Sequence, residues 1–229
     1  MNCLIIVLSI EQVSDILRIS QKILVASGVK TTLKKIQTQL YIFFEATNML
    51  SITKHLKERH LHTELYSSVY VSEEHCKAYF MLYSFSGEIV GFQCYTPEQP
   101  KRGSHLLDIE RRYYTYITKK HGTVRVTAFG LERLTPETKT VFLCEGVFDA
   151  CRLHKLGLQA LALLGSDVEH IKEQLFMLGV KLIPICEGDE AGQKLAKLAT
   201  HKEVVYLPEG YDLGDMSEVE ILKIIKKYI

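Results

Sequence analysis

Long apolar runs are missing from this chain of 229 residues. No segment reaches the ~18 to 20 apolar residues that a helix needs to span a bilayer, so no membrane segment is expected. The opening MNCLIIVLSI has no basic flank, and Glu11 cuts its apolar run at about half the length of a signal peptide. The cysteines (Cys3, Cys76, Cys94, Cys144, Cys151 and Cys186) include no CxxC pair and no Cys/His cluster with zinc spacing. They read as reduced, mostly buried small hydrophobes, and a cytoplasmic protein is the expectation. There is no Gly-x-x-x-x-Gly-Lys-Ser/Thr loop, which excludes a P-loop motor. The nine histidines, His60, His62 and His121 among them, show no HExxH or comparable ligand spacing and read as surface residues. No Ser or Cys stands in a recognisable triad context, and neither repeats nor low-complexity tracts occur.

What is present has the balance of an ordinary globular protein: 47% hydrophobic and 24% charged residues, enough for one large domain or two small ones. The net charge of +1 hides an asymmetry. Residues 1–100 hold nine basic and nine acidic side chains, 101–140 hold nine basic against four acidic, and 141–229 hold ten against fourteen. A basic middle beside an acidic end suggests a polyanion partner together with a carboxylate site for cations. A chance fluctuation on a solvated face would give the same counts.

Residues 10–62 carry apolar positions near a 3.6 period (Ile16, Ile19, Ile23, then Leu33, Ile36, Leu40), which predicts helix. Ser51 is placed to cap a further helix, ITKHLKERHL. From Tyr66 the pattern turns strand-like in SSVYVS, KAYFMLYS and EIVGFQCY, the last two joined by a Phe-Ser-Gly turn, and TPEQPKRGS reads as a loop. From Val141 four apolar strands (VFLCEG, ALALLG, VKLIPIC, EVVYLP) alternate with helices. The first of these helices ends at Gly157, and two others are capped by Asp167 and Ser217. This alternation predicts a parallel sheet covered on both faces. The reading gives three parts: a helical segment 1–65, a basic α+β part 66–140 and an α/β domain 141–229.

Strand ends place the acids. Glu145 closes the first strand of the α/β part, Glu187 and Asp189 follow the third, and Asp212 and Asp215 lie in the loop after the fourth. Carboxyl ends of parallel strands share one edge, where such sheets bind ligands. Asp149, one turn after Glu145, would project to the same edge. Clustered carboxylates repel unless a cation sits among them, and oxygen-only ligands suit Mg²⁺ or Mn²⁺ rather than zinc. The competing reading is that these acids are helix caps and loop residues. In the basic middle, Tyr113, Tyr114 and Tyr116 lie among Arg111, Arg112, Lys119 and Lys120. They suit either base stacking with phosphate neutralisation or a plain strand with inward tyrosines.

The acid-bearing motifs EGVFD (145–149), EGDEAG (187–192) and YDLGD (211–215) resemble those of the Toprim domain. Among Toprim proteins the similarity continues upstream toward the catalytic core of DnaG-type primases. ITKHLKERHL is similar to a YLxxRGL stretch, EIVGFQCY to a G-x-v-v-G-F run, and RRYYTYI with TKKHG to a Lys-Tyr-Leu-Asn run and a following Lys. ALALLGS is similar to an A-x-L-G-T strand end. Glu187 stands where the family usually has Asp, and Asp215 lies one position later than the usual second acid. This sequence shows neither the family's usual zinc-binding Cys/His module nor its helicase-docking module, so the expectation is a core reduced to its minimum, as in a phage or mobile element, or a decayed relative.

The resemblance implies an α/β fold: a Toprim, Rossmann-like four-stranded parallel sheet flanked by helices, preceded by a smaller mixed α+β subdomain and an N-terminal helical segment. It implies a nucleotidyltransferase that makes short RNA primers on single-stranded DNA from ribonucleoside triphosphates with Mg²⁺ or Mn²⁺. Glu145 would act as general base or metal ligand, and Glu187, Asp189 and Asp212 would hold metal with Asp149 and Asp215 in support. Arg111, Arg112, Tyr113, Lys119, Lys120, Lys101 and Arg102 would grip template and nucleotide. A replicative helicase or a separate template-recognition protein would be the partner, in the nucleoid or, for a phage protein, the host cytoplasm. A Toprim-type nuclease and a non-catalytic replication adaptor are the alternatives.

Overall fold

A computed structural model describes residues 51–101, 107–165, 168–214 and 216–229, without the side chains of Val168 and Glu169. The expected helices before Ser51, the cap at Asp167, and the candidates Arg102 and Asp215 lie outside the described residues. Residues 50–229 fall into one unit.

The first described helix, α1 (Ile52–Glu58), begins where the sequence places it. Ser51 caps it, its hydroxyl accepting from the Lys54 N–H at 3.3 Å. The Glu73 carboxylate, reaching from a distant turn, takes the N–H groups of Ile52 and Thr53 at 3.1 and 3.0 Å. Three donors that a helix start leaves without partners are thus satisfied. The helix ends because His60 adopts a left-handed φ of 61°, letting the Leu61 N–H reach back to the Leu56 carbonyl at 2.9 Å. His60 occupies the position of the glycine in the YLxxRGL form.

Four antiparallel strands follow: β1 (Val69–Ser72), β2 (Lys77–Tyr83), β3 (Ile89–Tyr95) and β4 (Tyr113–Ile117), hydrogen-bonded in that order. The alternation of β2 is complete, with Ala78, Phe80 and Leu82 buried and their neighbours partly exposed. The β2–β3 turn forms at Gly87 (φ 80°) as the Phe-Ser-Gly signal predicts. A two-residue hairpin, β5 (Lys119–Lys120) and β6 (Thr123–Val124), turns through His121 and Gly122, both at positive φ.

The second sheet contains β7 (Thr140–Cys144), β8 (Ala160–Ala162), β9 (Lys181–Cys186) and β10 (Val205–Tyr206), all parallel, in the order β10-β9-β7-β8. Its helices are α2 (Val147–Lys155), α3 (Val168–Met177), α4 (Glu190–Ala196) and α5 (Glu218–Ile225). Period-two alternation sends Phe142, Cys144, Ile183 and Ile185 to one face, where α2, α5, α1 and the inner side of the antiparallel sheet pack. Val141, Leu143, Leu182 and Cys186 face the other way, against α3 and α4. The fold is therefore mixed α/β, a helix-flanked parallel sheet preceded by an antiparallel one. The four cysteines at 94, 144, 151 and 186 are buried free thiols, as their spacing predicts. Among the described residues no helix is long and apolar enough to cross a membrane.

Candidate acid site at the sheet edge

The strand order fixes where a ligand site forms. From β7 the chain moves outward to β8, then returns across β7 to β9, so α2 lies on one face and α3 and α4 on the other. The crevice at such a reversal opens beyond the carboxyl ends of the two central strands. Glu145 follows β7 directly and Glu187 follows β9 directly.

Glu145 sits at the mouth of α2, partly buried, and its Oε1 is buried without a hydrogen-bond partner. Burial pushes its carboxyl up from the ordinary range, and the charges of Asp189 and Glu187 push it further. Asp149 closes a turn onto the same point: its Oδ2 accepts the Gly146 N–H at 3.2 Å. Burial raises the Asp149 carboxyl to about 7, with Asp212 and Glu187 adding to the shift and the Gly146 N–H opposing it. Asp189 caps α4, its Oδ1 accepting the Gly192 N–H at 2.8 Å. Acids from three separate loops thus repel one another across one edge. Between them lies a cleft of about 10 Å³ lined by Cys144, Glu145, Asp149, Ile185, Glu187, Leu207 and Leu213. That is about the space one water-sized occupant requires.

The donors are hard oxygens, and one of them is buried with no proton donor to satisfy it, which fits a magnesium-class ion in chemistry. Among the described residues, however, no three His, Cys, Asp or Glu side chains stand as a ready-made metal-binding group. The helix-cap reading holds at Asp189, which caps α4, and Asp149 accepts the Gly146 N–H at the start of α2, each through one carboxylate oxygen.

Two arginines escaped the sequence reading. Arg59, at the end of α1, lays its guanidinium 3.6 Å above the Phe148 ring and donates to the hydroxyls of Tyr95 and Tyr113 at 3.3 and 3.2 Å. Its charge reaches Asp149 and draws that carboxyl's proton affinity down. The one available signal was its place in the HLKERHL stretch. Arg152 is buried on α2 and donates from Nε to the Leu213 carbonyl at 3.1 Å and from Nη2 to that of Met216. It thereby pins the segment that carries Asp212 onto the helix that carries Asp149. Nothing in the sequence marks Arg152 as the buried cation of this helix and Lys155 as the exposed one.

The predicted basic grip is divided. Arg112 precedes β4 and donates from Nε to the Gln99 carbonyl at 2.7 Å, while Tyr113 points to the core side toward Arg59. Arg111 pairs with Asp108 at 3.0 Å, and Lys101 is exposed. Lys119 and Lys120, both exposed, stand beyond the opposite end of β4, roughly 20 Å away along the strand. Among the described residues of the predicted grip, it is Tyr113 that the structure associates with the acid edge, through Arg59 and Phe148.

No family model matches the chain, and no curated protein matches it. Its fold is similar to the primase of Aquifex aeolicus (zinc-binding and RNA polymerase domains), with 23% identity, 66% of this chain and 40% of that one covered, and a TM-score of 0.48. It is also similar to a DNA primase domain from Pseudomonas aeruginosa, with 19% identity, coverage of 76% and 58%, and a TM-score of 0.49. For the E. coli primase catalytic core the values are 16%, 84% and 72%, and 0.48. The chain spans well under two thirds of the first two structures.

Proposed function

We propose that the chain is a primase-type nucleotidyltransferase core of the Toprim class, joining ribonucleotides on a single-stranded DNA template with Mg²⁺ or Mn²⁺. The observation that supports this reading is that Glu145 and Glu187 directly follow the two strands at the reversal, with Asp189 and Glu187 near enough to push the Glu145 carboxyl, already raised by burial, further up, and that a buried Glu145 oxygen is left without a donor. The motifs EGVFD, EGDEAG and YDLGD give the reading its class.

Glu145, Glu187, Asp189 and Asp212 would hold the ion, with Asp149 and Asp215 in support. A divalent ion held by them would supply activation of a hydroxyl nucleophile and charge neutralisation for the displaced phosphates. Glu145 is suited to receive a proton because burial and its acidic neighbours raise its affinity for one. Arg59, presented between two tyrosine hydroxyls and Phe148, supplies positive charge at the rim for a triphosphate. Template contact by Arg112, ribonucleoside triphosphates as substrates, a helicase or recognition protein as partner, and a cytoplasmic setting all belong to this proposal. So does the three-part division at residues 65 and 140.

De novo synthesis on random single-stranded DNA with labelled ribonucleotides, run with each metal, tests it. Labelled primers that Glu145→Gln abolishes are the expected result. Metal-dependent cleavage of the template without synthesis would replace the reading with a nuclease. Binding with no turnover under either metal would replace it with an adaptor.

A further inference from the structure

The antiparallel sheet has two unlike faces. Its inner face buries Ala78, Phe80, Leu82 and Tyr95 in the core. Strand register assembles its other face from residues far apart in sequence. Tyr70 pairs with Tyr79, Tyr79 with Cys94, and Cys94 with Tyr114, forming one row across all four strands. The next row on the same face contains Met81, Phe92 and Tyr116.

Phe92 is the hub: its ring centroid lies 6.0 Å from Tyr79, 6.1 Å from Tyr114 and 5.8 Å from Tyr116. The rim stays open, with Tyr70 58% and Tyr116 47% exposed. Aromatic rings covering a sheet face away from its core need a reason, because β-strands ordinarily turn polar residues to that side.

Charge indicates the occupant. Lys77 lies two residues before Tyr79 on β2 and so stands on this face, one row beyond the rings, while Arg112 immediately precedes β4 at the same end of the sheet, its Nε donating to the Gln99 carbonyl. Among the described residues neither has a carboxylate partner, whereas Glu73 and Glu74 in the adjoining turn are engaged with the main chain of α1 and with His75. Rings bordered by unpaired cations match a strand of stackable bases joined by phosphates. A hydrophobic protein partner would leave Lys77 and Arg112 without a counter-charge.

We infer that this face is a stacking platform for single-stranded DNA, separate from the acid edge. Tyr70, Tyr79, Phe92, Tyr114 and Tyr116 take bases, and Lys77 and Arg112 take phosphates. The choice of DNA over other single strands rests on the template assigned under the proposed function. The platform's existence rests on the sheet alone. It also changes the role of the tyrosine run: Tyr114 and Tyr116 belong to the platform, while Tyr113 faces the core.

The test measures anisotropy of labelled 12-mers of single-stranded DNA, single-stranded RNA and duplex DNA against the full chain. Tyr70→Ala/Tyr116→Ala should bind single-stranded DNA about 100-fold more weakly, at roughly tenfold per lost stack. Its salt dependence should stay unchanged. Tyr70→Phe/Tyr116→Phe should bind within about threefold of the parent, since the ring remains. Lys77→Ala/Arg112→Ala should instead flatten the salt dependence by about 0.7 per lost phosphate contact. Circular dichroism of each variant establishes that it is folded.

Parent-like binding by the folded double-alanine variant overturns the platform. So does a tenfold preference for RNA or duplex, or a parent dimer in sedimentation that the double-alanine variant disperses. The outcomes separate from the proposed function: a chain that never synthesises primers but loses DNA binding on Tyr70/Tyr116 substitution keeps the platform and discards the polymerase. A chain that synthesises primers and binds equally well without these rings does the reverse.

Discussion

Gly192 of α4 packs so closely on the main chain of Glu187 that a β-carbon at 192 would lie 2.2 Å from the Glu187 carbonyl oxygen. The glycine of EGDEAG is thus required by the approach of a helix to the strand end that presents the acid, in a region of ordinary φ. Space is what a side chain lacks there.

Gly192→Ala is therefore expected to displace Glu187 rather than merely stiffen α4. A forced shift of this kind costs roughly 1–3 kcal/mol. Thermal melting should show that loss, and metal-dependent synthesis should fall with it. At Glu187 itself, Glu187→Ala should eliminate activity and Glu187→Asp should retain it, raising the Mg²⁺-supported rate relative to Mn²⁺. An active enzyme indifferent to Glu187→Ala would remove this residue from the site.

Glu145→Gln should separate stability from function. Because its folded carboxyl is raised, the ionised form opposes folding at high pH, and that penalty fades as pH falls below the folded value. At pH 8 without divalent ions the variant should be more stable than the parent. At pH 4 the two should converge. Added Mg²⁺ should raise the parent's melting temperature and leave the variant's nearly unchanged. Equal responses of both proteins to Mg²⁺ would count against Glu145 as a ligand.

His154 makes the fold acid-sensitive in a defined window. Buried on α2, its Nε2–H donates to the Ala160 carbonyl at 2.9 Å, and Nδ1 accepts the Tyr66 hydroxyl at 2.9 Å, an arrangement for a neutral ring. Burial, foremost, lowers its pKa from 6.5 to about 4. As pH falls below 6.5 the unfolded chain gains a proton that the folded one refuses until about 4. The stability is therefore complete above 6.5 and is lost toward 4. The loss is on the order of 2–3 kcal/mol. Urea unfolding across that range should show it, and His154→Asn, less stable throughout, should show a shallower slope. A parallel slope would mean that other groups carry the titration.

Arg59→Lys tests whether shape or charge matters at the rim. Lysine keeps the charge but loses the flat contact with Phe148 and the forked donation to Tyr95 and Tyr113. A loss of about 1–2 kcal/mol in stability is expected. A fall in affinity for ribonucleoside triphosphates measured by calorimetry should accompany it. An unchanged Kd would restrict Arg59 to packing.

The sequence alone determined the elements that local chemistry controls. The alternation Ala78-Phe80-Leu82 fixed β2, and Ser51 and Ser217 fixed two helix starts through bonds spanning three residues. The apolar strands after Val141 announced a buried parallel sheet because such strands are covered on both faces. The order β10-β9-β7-β8 lay beyond local pattern, as did therefore the reversal that sets Glu145 beside Glu187. The division of the basic cluster was equally hidden: sequence proximity put Arg112 with Lys119, but an intervening extended strand carries them to opposite ends. Only tertiary structure placed Arg59 over Phe148 and gathered Tyr70, Tyr79, Phe92, Tyr114 and Tyr116 on one face. The physical reason is the same in each case. Periodicity tells which side of its own element a residue takes, while pairing between distant strands decides what it meets there.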